Sequence, residues 1–346
     1  MIYYCEDYWN DIESIIKNIP RIEEMFNKSI LITGGTGMVC STVIEVLTYL
    51  NRNYQANVQI YIAGRSQEKV KRRFPINFFG ENIHFIQFDA RKESDIKLPD
   101  LNYVIYGASP ANPTSFSIAP VDVILANIIG LKSILSKMNP LIRGLYISSS
   151  EVYGKKQNGI PYVETDYGYV DILNPRAAYP CAKRLAETLC SAYIKQYGLD
   201  LVIARPGHIY GPSITLDDNR ASAQFTRKSA AGANIILKSA GLQLRSYCYT
   251  LDCASAILCI LLNGTKGEAY NISNRQSVVT IRDVADVFAK RVNRRIIFEN
   301  PSDQERSGFN LMENSALDAK KLENLHWRAK FDLYSGVAKT LKYYKM

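Results

Sequence analysis

Residues that bind metals or form disulfides are scarce in this chain. Three histidines occur among 346 residues, and the seven cysteines are scattered and odd in number. Zinc sites gather Cys and His ligands at short, regular spacings, and secreted disulfide scaffolds carry an even, dense set of cysteines. Neither pattern is present in the sequence. We therefore expect no metal, reduced thiols and a cytoplasmic location.

Long apolar runs are also missing. No stretch approaches the roughly 18 apolar residues that a membrane-spanning helix requires. The first seven residues are acidic and lack the basic region with which a secretory signal begins. The sequence accordingly predicts neither a membrane span nor a signal peptide.

The charge balance is positive, with 42 Lys and Arg against 33 Asp and Glu, a formal charge of +9. Such an excess can serve nucleic-acid binding. Here the basic residues are dispersed, and no basic stripe interleaved with aromatic residues occurs. A positive cleft for a small anionic substrate explains the charge equally well. We expect no nucleic-acid partner.

Short apolar runs alternate with helical patterns through the first 205 residues. Strands are predicted at 29–33, 58–62, 83–88, 103–106, 144–148 and 201–204. A helical pattern begins at Ser41, and further helices are predicted at 121–137 and 176–197. This alternation indicates βαβ units, and hence an α/β fold: a doubly wound, mainly parallel Rossmann sheet with helices on both faces.

The pattern divides the chain into three regions. Residues 1–28 predict one or two short amphipathic helices, which we interpret as a cap on the main fold rather than as a partner-binding element. Residues 29–205 form the predicted nucleotide-binding domain. From 206 to 346 the pattern is irregular, with helices predicted at 252–262 and 280–292. This last region is predicted to be a smaller, substrate-binding lobe.

A glycine-rich loop connects the first predicted strand to the first helix of the sheet domain. Gly34 and Gly37 have the context of a dinucleotide-binding fingerprint, in which one glycine allows a tight turn and the next lets the pyrophosphate approach the helix N-terminus. The third glycine of that pattern is replaced by Cys40, whose small thiol still allows close helix–strand packing. The context favours a nucleotide site over a turn without a ligand.

The end of the second predicted strand bears on the choice of cofactor. An acidic residue there would bind the ribose 2′-hydroxyl of NAD. This chain instead has Arg65 and Ser66 and no carboxylate. A guanidinium beside a hydroxyl suits a 2′-phosphate, so NADP(H) is favoured over NAD(H). The alternative is an Arg65 that stacks on adenine or faces solvent.

A tyrosine and a lysine follow four residues apart, at Tyr179 and Lys183. On a helix this spacing places both side chains on one face. A nearby ammonium favours the phenolate, so we expect Lys183 to lower the pKa of Tyr179. Ser149, after the fifth predicted strand, can hold the substrate oxygen whose proton the tyrosine takes or gives. These residues predict proton transfer at a carbinol or carbonyl carbon.

These motifs together resemble the extended short-chain dehydrogenase/reductase family, in its nucleotide-sugar branch. The resemblance covers residues 28 to 292 approximately. It rests on the segments 33–37, 108–113, 148–154, 179–183, 205–212 and 245–249, with Asp89 and Asn127. Asp89, at the end of the third strand, could accept a hydrogen bond from the adenine amino group.

The resemblance implies a set of site residues. The implied catalytic residues are Ser149, Glu151, Tyr179 and Lys183. The implied cofactor contacts are Gly34, Thr36, Gly37, Met38, Arg65, Ser66, Asp89, Ala90, Ala108, Asn127, Tyr179 and Lys183. The candidate anion ligands for the substrate are Arg176, Arg220 and Arg245, each of which could instead be a surface arginine. Arg245 is implied to hold the diphosphate of a sugar nucleotide, and His208 is interpreted as structural.

Within the branch, the chain is most similar to UDP-glucuronate decarboxylases, in the segment 175–188 above all. Sugar-nucleotide 4,6-dehydratases normally carry an Asp acid where this chain has Ser150, which disfavours that reaction. Glu151 remains as a base, as a carboxylate that orients the sugar, or as a cap on the following turn. Decarboxylases hold NAD and carry the ribose-binding acid that is missing after the second strand.

The leading hypothesis is therefore a sugar-nucleotide reductase. NADPH would reduce C4 of a 4-keto-6-deoxyhexose nucleotide, such as dTDP-4-dehydro-6-deoxyglucose, for surface polysaccharides such as O-antigen. The alternatives are UDP-glucuronate decarboxylation and C4 epimerisation. A non-catalytic nucleotide-binding protein is disfavoured because Ser149, Tyr179 and Lys183 are all present. The resemblance also implies a homodimer paired through helices 121–137 and 176–197.

Overall fold

The computed structural model describes residues 2–74, 80–156, 159–303, 306, 309–310 and 312–345. The strands are β1 (Ser29–Thr33), β2 (Gln59–Gly64), β3 (Ile83–Gln87), β4 (Tyr103–Tyr106), β5 (Arg143–Ile147), β6 (Asp200–Pro206), β7 (His208–Tyr210), β8 (Ile235–Leu237), β9 (Leu244–Tyr249), β10 (Ala269–Ile272), β11 (Val278–Thr280), β12 (Ile296–Phe298) and β13 (Asn314–Ser315).

Helices flank and connect these strands. They are α1 (Glu6–Ile16), α2 (Met38–Tyr54), α3 (Gln67–Arg73), α4 (Pro113–Ile118), α5 (Pro120–Leu135), α6 (Ala178–Tyr197), α7 (Ala221–Ala230), α8 (Thr250–Asn263), α9 (Ile281–Arg291), α10 (Lys320–Glu323) and α11 (Leu333–Tyr343). None of the described helices is both long enough and apolar enough to cross a membrane.

The central sheet has seven strands in the order β3-β2-β1-β4-β5-β6-β10, and every pairing in it is parallel. The strand order reverses direction between β1 and β4, which opens a crevice at the carboxyl ends of these strands, where open α/β sheets bind ligands. The predicted α/β class and parallel Rossmann sheet are confirmed. All six strands predicted for this domain are present: β1 and β4 have the predicted bounds, and the ends of the other four differ by at most two residues.

The burial of the strands explains why they could be predicted from continuous apolar runs in the sequence. Ile30, Leu31 and Ile32 of β1 are fully buried, because helices cover both faces of the sheet. Strands buried on two faces read as continuous apolar runs rather than as alternating ones. Helix α8 is buried along nearly its whole length and packs on α2, β5 and β6.

A second lobe is built around β9. Strand β9 lies between β11 and β13 and also pairs with β7, while β8 and β12 form a separate parallel pair. Between these elements the chain returns to the main sheet, since β10 adds its seventh strand. The division of the chain at residue 205 stays a prediction about which region binds which ligand.

The N-terminal region packs on the main fold through α1 and a 3₁₀ turn at Ile22–Met25. Residues Tyr8, Ile12 and Ile15 of α1 are buried against α2 and α8. Helix α11 covers the same region from the other end of the chain: Lys339 bonds both oxygens of Asp11 at 2.7 and 2.8 Å. The first and last helices are thus joined to each other, while α1 packs on α2 and α8 and α11 packs on α7, α9 and β9.

Candidate active site

A cavity of about 630 Å³ lies between the sheet domain and the second lobe. It begins at the loop after β1, where Gly34 has a φ of +69° that favours glycine. A Cβ at Gly34 would lie 2.6 Å from the carbonyl oxygen of Gly107, at the end of β4. Thr33 ties the same two loops together, because its hydroxyl oxygen accepts the backbone N–H of Gly107 and of Ala108 at 3.0 Å each.

The N-terminus of α2 opens into this cavity. Gly37 is its N-cap and supplies no side-chain cap, and the first turn holds no acidic residue. The first backbone N–H groups of the helix therefore keep their hydrogen-bonding capacity, and the helix dipole favours an anion there. Gly34, Gly37 and Met38 line the cavity at this point. Their arrangement fits the pyrophosphate of a nicotinamide dinucleotide.

Cys40 replaces the third glycine of the fingerprint, and the structure shows what accommodates it. A Cβ built at Gly107 would lie 2.4 Å from the Sγ of Cys40. The thiol thus occupies the space that glycine leaves at the end of β4. Close packing of α2 on the sheet is also kept by Gly35, where a Cβ would lie 2.7 Å from Ile62.

The residues predicted for the adenosine end lie outside the lining of this cavity. Arg65 is exposed just beyond β2, and Ser66 caps α3 by accepting the backbone N–H of Lys69 at 3.3 Å. Asp89 accepts both a 3.0 Å and a 2.7 Å bond from the guanidinium of Arg91. These bonds lower the pKa of Asp89 to about 2. The proposed contacts of Arg65, Ser66 and Asp89 with cofactor stay predictions.

The other predicted cofactor contacts lie in the loops at the strand ends or are buried behind them. Ala90 is buried against α5, and Thr36 and Ala108 lie in the two loops at the strand ends. The amide of Asn127 donates to the Ser109 hydroxyl at 2.9 Å and accepts the phenol of Tyr146 at 2.9 Å. Asn127 therefore holds Ser109, which lines the cavity, while its own groups are engaged within the protein.

Ser149, Tyr179 and Lys183 meet where β5 ends. Ser149 caps a 3₁₀ turn at Ser150–Tyr153, where its hydroxyl oxygen accepts the backbone N–H of Glu151 at 3.2 Å. Tyr179 lies in the first turn of α6, which also tolerates Pro180. All three side chains line the cavity. The structure thus brings together the residues that the sequence predicted would transfer a proton.

The electrostatics of this group differ from expectation. Burial lowers the pKa of Lys183 to about 7, and its Nζ donates to the carbonyl of Ile147 at 2.7 Å. Burial and the nearby charge of Glu151 raise the pKa of Tyr179 to about 12, against the opposing effect of its bond with Ser149. The expectation that Lys183 lowers the pKa of Tyr179 is wrong for this arrangement, because desolvation dominates at both residues.

A stack of side chains holds Tyr179 in place. The ring of Phe116, on α4, lies 4.3 Å from that of Tyr179, centroid to centroid, and the guanidinium of Arg176 lies 4.6 Å from the Phe116 centroid. Arg176 in turn pairs with Glu151 at 2.9 Å. Sequence reasoning missed Phe116, whose signal was no more than an aromatic residue shortly after the segment 108–113.

The three predicted arginines have different surroundings. Arg176 is paired with Glu151, and Arg220 donates to both oxygens of Asp218, at 3.0 and 2.6 Å. Arg245 is 2% exposed and donates to backbone carbonyls, with no carboxylate partner among the described residues. Burial lowers its pKa. Arg245 lines the cavity and is therefore a buried cation that an anionic ligand could neutralise.

His208 lines the same cavity as Ser149, Tyr179 and Lys183. Its Nε2 lies 3.1 Å from the hydroxyl of Ser315, and burial together with the charges of Arg245 and Arg220 holds its pKa well below the usual value. The imidazole is therefore neutral and held by the second lobe, in keeping with its interpretation as structural. No cluster of metal-ligating side chains occurs in the part of the chain that the structure describes.

The fold and this site define a nicotinamide-dependent enzyme of the extended short-chain dehydrogenase/reductase type. The model of the NAD dependent epimerase/dehydratase family matches residues 30–273. The chain belongs to that family, and the predicted family resemblance is confirmed.

Curated relatives cover nearly the whole chain. UDP-glucuronic acid decarboxylase 1 of Xenopus tropicalis is 28% identical over 331 residues, which cover 94% of this chain and 74% of that protein. UDP-glucuronic acid decarboxylase 3 of Arabidopsis thaliana is 29% identical over 316 residues, 90% of this chain and 87% of that protein.

A solved structure gives the same fold. The dTDP-glucose 4,6-dehydratase of Bacillus anthracis str. Ames, in complex with NAD, superposes with a TM-score of 0.75 at 21% identity, covering 91% of this chain and 96% of that one. The UDP-glucuronic acid 4-epimerase of Bacillus cereus, with UDP-glucuronic acid and NAD, gives 0.74 at 21% identity, covering 91% and 98%. At this identity the likeness establishes the fold alone.

Proposed function

We propose that the protein is a decarboxylase of a nucleotide-linked hexuronic acid, UDP-glucuronate being the first candidate. The observation that carries the proposal is that one cavity holds both the Ser149, Tyr179 and Lys183 group and the buried cation Arg245. The named activity of the curated relatives points the same way. This replaces reduction of a 4-keto sugar, our first hypothesis from sequence, as the leading reaction.

The cofactor would be held by the loop residues Gly34, Gly37 and Met38, with Lys183 at its ribose. When bound, a nicotinamide dinucleotide supplies a hydride acceptor at C4 of the sugar, then returns the hydride, and its oxidised ring brings a positive charge that favours the phenolate of Tyr179. The reaction is redox-neutral overall, so no second substrate is consumed.

The proton steps fall to the residues at the end of β5. Tyr179 Oη takes the proton of the C4 hydroxyl, and the Ser149 hydroxyl hydrogen-bonds the same oxygen. The resulting C4 ketone lies β to the carboxylate on C5. The bond from C5 to that carboxylate can then break, with its electron pair passing to the ketone oxygen as an enolate while CO₂ leaves. C5 takes up a proton from water, and Tyr179 finally returns its own proton to O4.

Glu151 acts in this proposal by orienting the sugar. Its carboxylate is paired with Arg176, so it is held in one place beside Tyr179. A carboxylate held in one orientation can accept hydrogen bonds from the hydroxyl groups of a sugar. The alternative is that Glu151 acts as a general acid or base that exchanges a proton with C5.

The second candidate is NADPH-dependent reduction of a 4-keto-6-deoxyhexose nucleotide. The observation that favours it is Arg65, exposed beyond β2 where no carboxylate occurs. A 2′-phosphate would be neutralised there, and NADPH is the usual hydride donor in biosynthesis. The neutral phenol of Tyr179 also suits protonation of an alkoxide at C4. C4 epimerisation would use the same residues.

The test is incubation of the purified protein with UDP-glucuronate and no added cofactor, followed by mass spectrometry of the sugar nucleotide. Loss of CO₂ is the expected result, and Tyr179→Phe should reduce its rate by about 10²–10⁴-fold. A gain of two hydrogens by a 4-keto sugar nucleotide with NADPH, and no CO₂ from UDP-glucuronate, would establish the reductase instead. An isomer of unchanged mass would indicate the epimerase.

A homodimer is a further part of the proposal. Helices α5 and α6 pack side by side, and Val121, Ile124 and Leu185 on them are 64%, 40% and 52% exposed. Pairing of two such helix pairs would cover these apolar side chains. Sedimentation of the protein, compared with Leu185→Lys, would show whether the pair forms.

A further inference from the structure

A buried carboxylate lies on α2, the helix whose N-terminus opens into the cavity. Glu45 is in the middle of this helix, and its side chain is fully buried. A carboxylate in such a place is costly unless it is paired and hydrogen-bonded. Glu45 forms an ion pair at 3.2 Å with Arg73, the last residue of α3. The pair therefore joins the helix that follows β1 to the helix that follows β2.

The N-terminal segment completes this ion pair. The hydroxyl of Tyr4 donates to Oε1 of Glu45 at 2.9 Å and accepts from Nη1 of Arg73 at 3.4 Å. Tyr8, on α1, donates its hydroxyl to the other oxygen of the same carboxylate. Both tyrosines lie before residues 30–273, the part of the chain that matches the family. The buried pair thus takes two of its hydrogen bonds from outside the matched region.

Arg73 also reaches the first turn of α2. Its Nη2 donates to the hydroxyl of Ser41 at 2.6 Å, and that hydroxyl donates to the carbonyl of Met38 at 3.2 Å. Met38 is the first residue of α2 and lines the cavity where the pyrophosphate fits. One guanidinium therefore connects the N-terminal segment with the turn that would hold the pyrophosphate.

Few side chains of α3 other than Arg73 hold that helix in position. Of its seven residues, Gln67–Arg73, Val70 is buried, while the four charged residues between 68 and 72 are exposed. So short a helix depends on tertiary contacts for its stability. It begins directly after Arg65 and Ser66, which are predicted to contact the adenosine end of the cofactor. At about 10 Å in length, the helix transmits a displacement of Arg73 to that turn.

We propose that Tyr4 and Arg73 are positioning residues for the nicotinamide dinucleotide. Through them the N-terminal segment holds α3 and the first turn of α2 in the arrangement that binds the adenosine and pyrophosphate groups. Both residues act through the protein and not by touching the cofactor. The segment that the sequence predicted to be a cap on the main fold is then also a determinant of cofactor affinity. The inference needs a dinucleotide at the loop after β1 and does not depend on which reaction follows.

The test compares the wild type with Tyr4→Phe by titration calorimetry on the full chain, using NAD⁺ and NADP⁺ as separate ligands. The change removes one hydroxyl and keeps the ring, which stacks on Trp9 at 5.5 Å. The ion pair of Glu45 with Arg73 is kept, so the variant should fold. Both dissociation constants should rise by the same factor, about three- to tenfold, the usual effect of one lost hydrogen bond.

The dissociation constant separates positioning from a purely structural role. A tyrosine that only stabilised the fold would lower the urea midpoint or the number of binding-competent molecules. It would leave the dissociation constant of the folded molecules unchanged. An unchanged dissociation constant in Tyr4→Phe would therefore overturn the inference.

Tyr49→Phe is the matched control. The hydroxyl of Tyr49, on α2, bonds Glu13 of α1 at 3.3 Å, and its ring also stacks on Trp9, at 6.0 Å. The change removes the same atom from the contact between the N-terminal region and α2, and it leaves Arg73 untouched. Its dissociation constants should equal those of the wild type. Equal weakening in Tyr49→Phe and Tyr4→Phe would show that Arg73 is not the route and would overturn the inference.

Arg73→Lys tests the second residue. It keeps a cation for Glu45, but a single ammonium cannot span Ser41 and Tyr4 as the guanidinium does. Binding of both dinucleotides should weaken by about tenfold. Because Tyr4 acts through Arg73, the double variant Tyr4→Phe/Arg73→Lys should bind no more weakly than Arg73→Lys alone. Additive losses in the double variant would contradict the proposed route.

The outcome is separable from that of the proposed function, because dinucleotide binding is measured with no sugar nucleotide present. If the affinities fall as expected while UDP-glucuronate releases no CO₂, the positioning role stands and the decarboxylase proposal fails. If CO₂ is released and Tyr4→Phe binds both dinucleotides like the wild type, the reaction stands and the positioning role fails.

Discussion

Two buried arginines in this protein differ in their hydrogen-bond partners: among the described residues, one is paired with a carboxylate and the other bonds only backbone carbonyl groups. Arg205, on β6, donates to both carboxylate oxygens of Glu187, at 2.9 and 2.6 Å, and to the phenol of Tyr153 at 3.0 Å. Burial disfavours its charged form, yet the bonds and charge of Glu187 outweigh this and raise its pKa. Arg245, on β9, is equally buried at 2% exposure, bonds carbonyl groups, and has its pKa lowered by burial.

This difference in partners distinguishes a charge that stabilises the fold from a charge that is available to bind a ligand. In the sheet domain a buried charge is completed by the protein itself, and the same holds for Glu151 with Arg176. In the second lobe, Arg245, Asn310 and Gln243 are held in place by backbone contacts while part of their charge or hydrogen-bonding capacity is left over. Arg205 is therefore a fixed part of the protein framework, whereas Arg245 keeps a charge that a ligand can neutralise.

The largest effect on stability should follow from breaking the complete pair. Arg205→Met leaves Glu187 buried without its cation, which should reduce the free energy of unfolding by about 3–5 kcal/mol. Urea unfolding followed by circular dichroism measures this. In the double variant Arg205→Met/Glu187→Leu most of the loss should be recovered. An Arg205→Met protein as stable as the wild type would contradict the pairing.

Arg245→Met should separate binding from stability. No described carboxylate is left unpaired by the change, so the free energy of unfolding should change by less than about 1 kcal/mol. Binding of UDP should weaken by about 10–100-fold, because charge-assisted hydrogen bonds to the phosphates are lost. Calorimetry and urea unfolding of the same preparation check both. A large loss of stability with unchanged affinity for UDP would show that Arg245, like Arg205, stabilises the fold rather than binds the ligand.

A smaller effect is expected at Arg65, a cation on the surface. Arg65→Asp puts a carboxylate at the end of β2, where it can accept the 2′-hydroxyl of NAD and repel the 2′-phosphate of NADP. The ratio of the dissociation constants for NADP⁺ and NAD⁺ should move toward NAD⁺ by about tenfold. Lys71→Asp, an equal change of charge on exposed α3, is the control. Identical ratios in both variants would remove the basis for an NADP preference.

The last effect is a dependence of stability on pH, expected at Asp252, a buried carboxylate on α8. It accepts the backbone N–H of Lys330 and of Phe331, at 2.8 and 2.9 Å, while burial raises its pKa to about 7. Between the ordinary value of about 4 and about 7 the folded protein binds the proton more tightly, so this group's contribution to stability is lost as pH rises through that window.

Asp252→Asn should remove that pH dependence. The urea concentration at the midpoint of unfolding should be lower at about pH 8 than at about pH 5 for the wild type. The decrease should be smaller for the variant, when each protein is compared with its own midpoint at the lower pH. Parallel profiles for the two proteins would show that Asp252 does not titrate in this range.

Much of the sheet domain could be predicted because its signals are local. Parallel strands buried on both faces read as unbroken apolar runs, as in β1 and β5, and glycine at Gly34 marks a turn that only a positive φ allows. Tyr179 and Lys183 lie on one helix, so their spacing alone places them together.

The strands of the second lobe could not be predicted from local sequence patterns. Strands β7, β8 and β11 have three residues each and β13 has two, too few for a pattern to emerge. The position of Asn310 depends on the pairing of β13 with β9, about 70 residues earlier in the chain. The stack of Phe116 on Tyr179 depends in the same way on how α4 meets α6. The pKa of Tyr179 was missed because burial cannot be read from a four-residue spacing.

The contact between α1 and α11 has a consequence for folding of the protein during its synthesis. Asp11 and Lys339, which pair across the two helices, are 328 residues apart in sequence. At roughly 5–20 residues per second, a ribosome needs about 15–65 seconds to synthesise the chain between them. During that time Tyr8 lacks the ring of Tyr343, which lies 5.2 Å from it, centroid to centroid, in the folded protein. Chaperones that shield nascent apolar segments would therefore have their longest task at the helix that is made first.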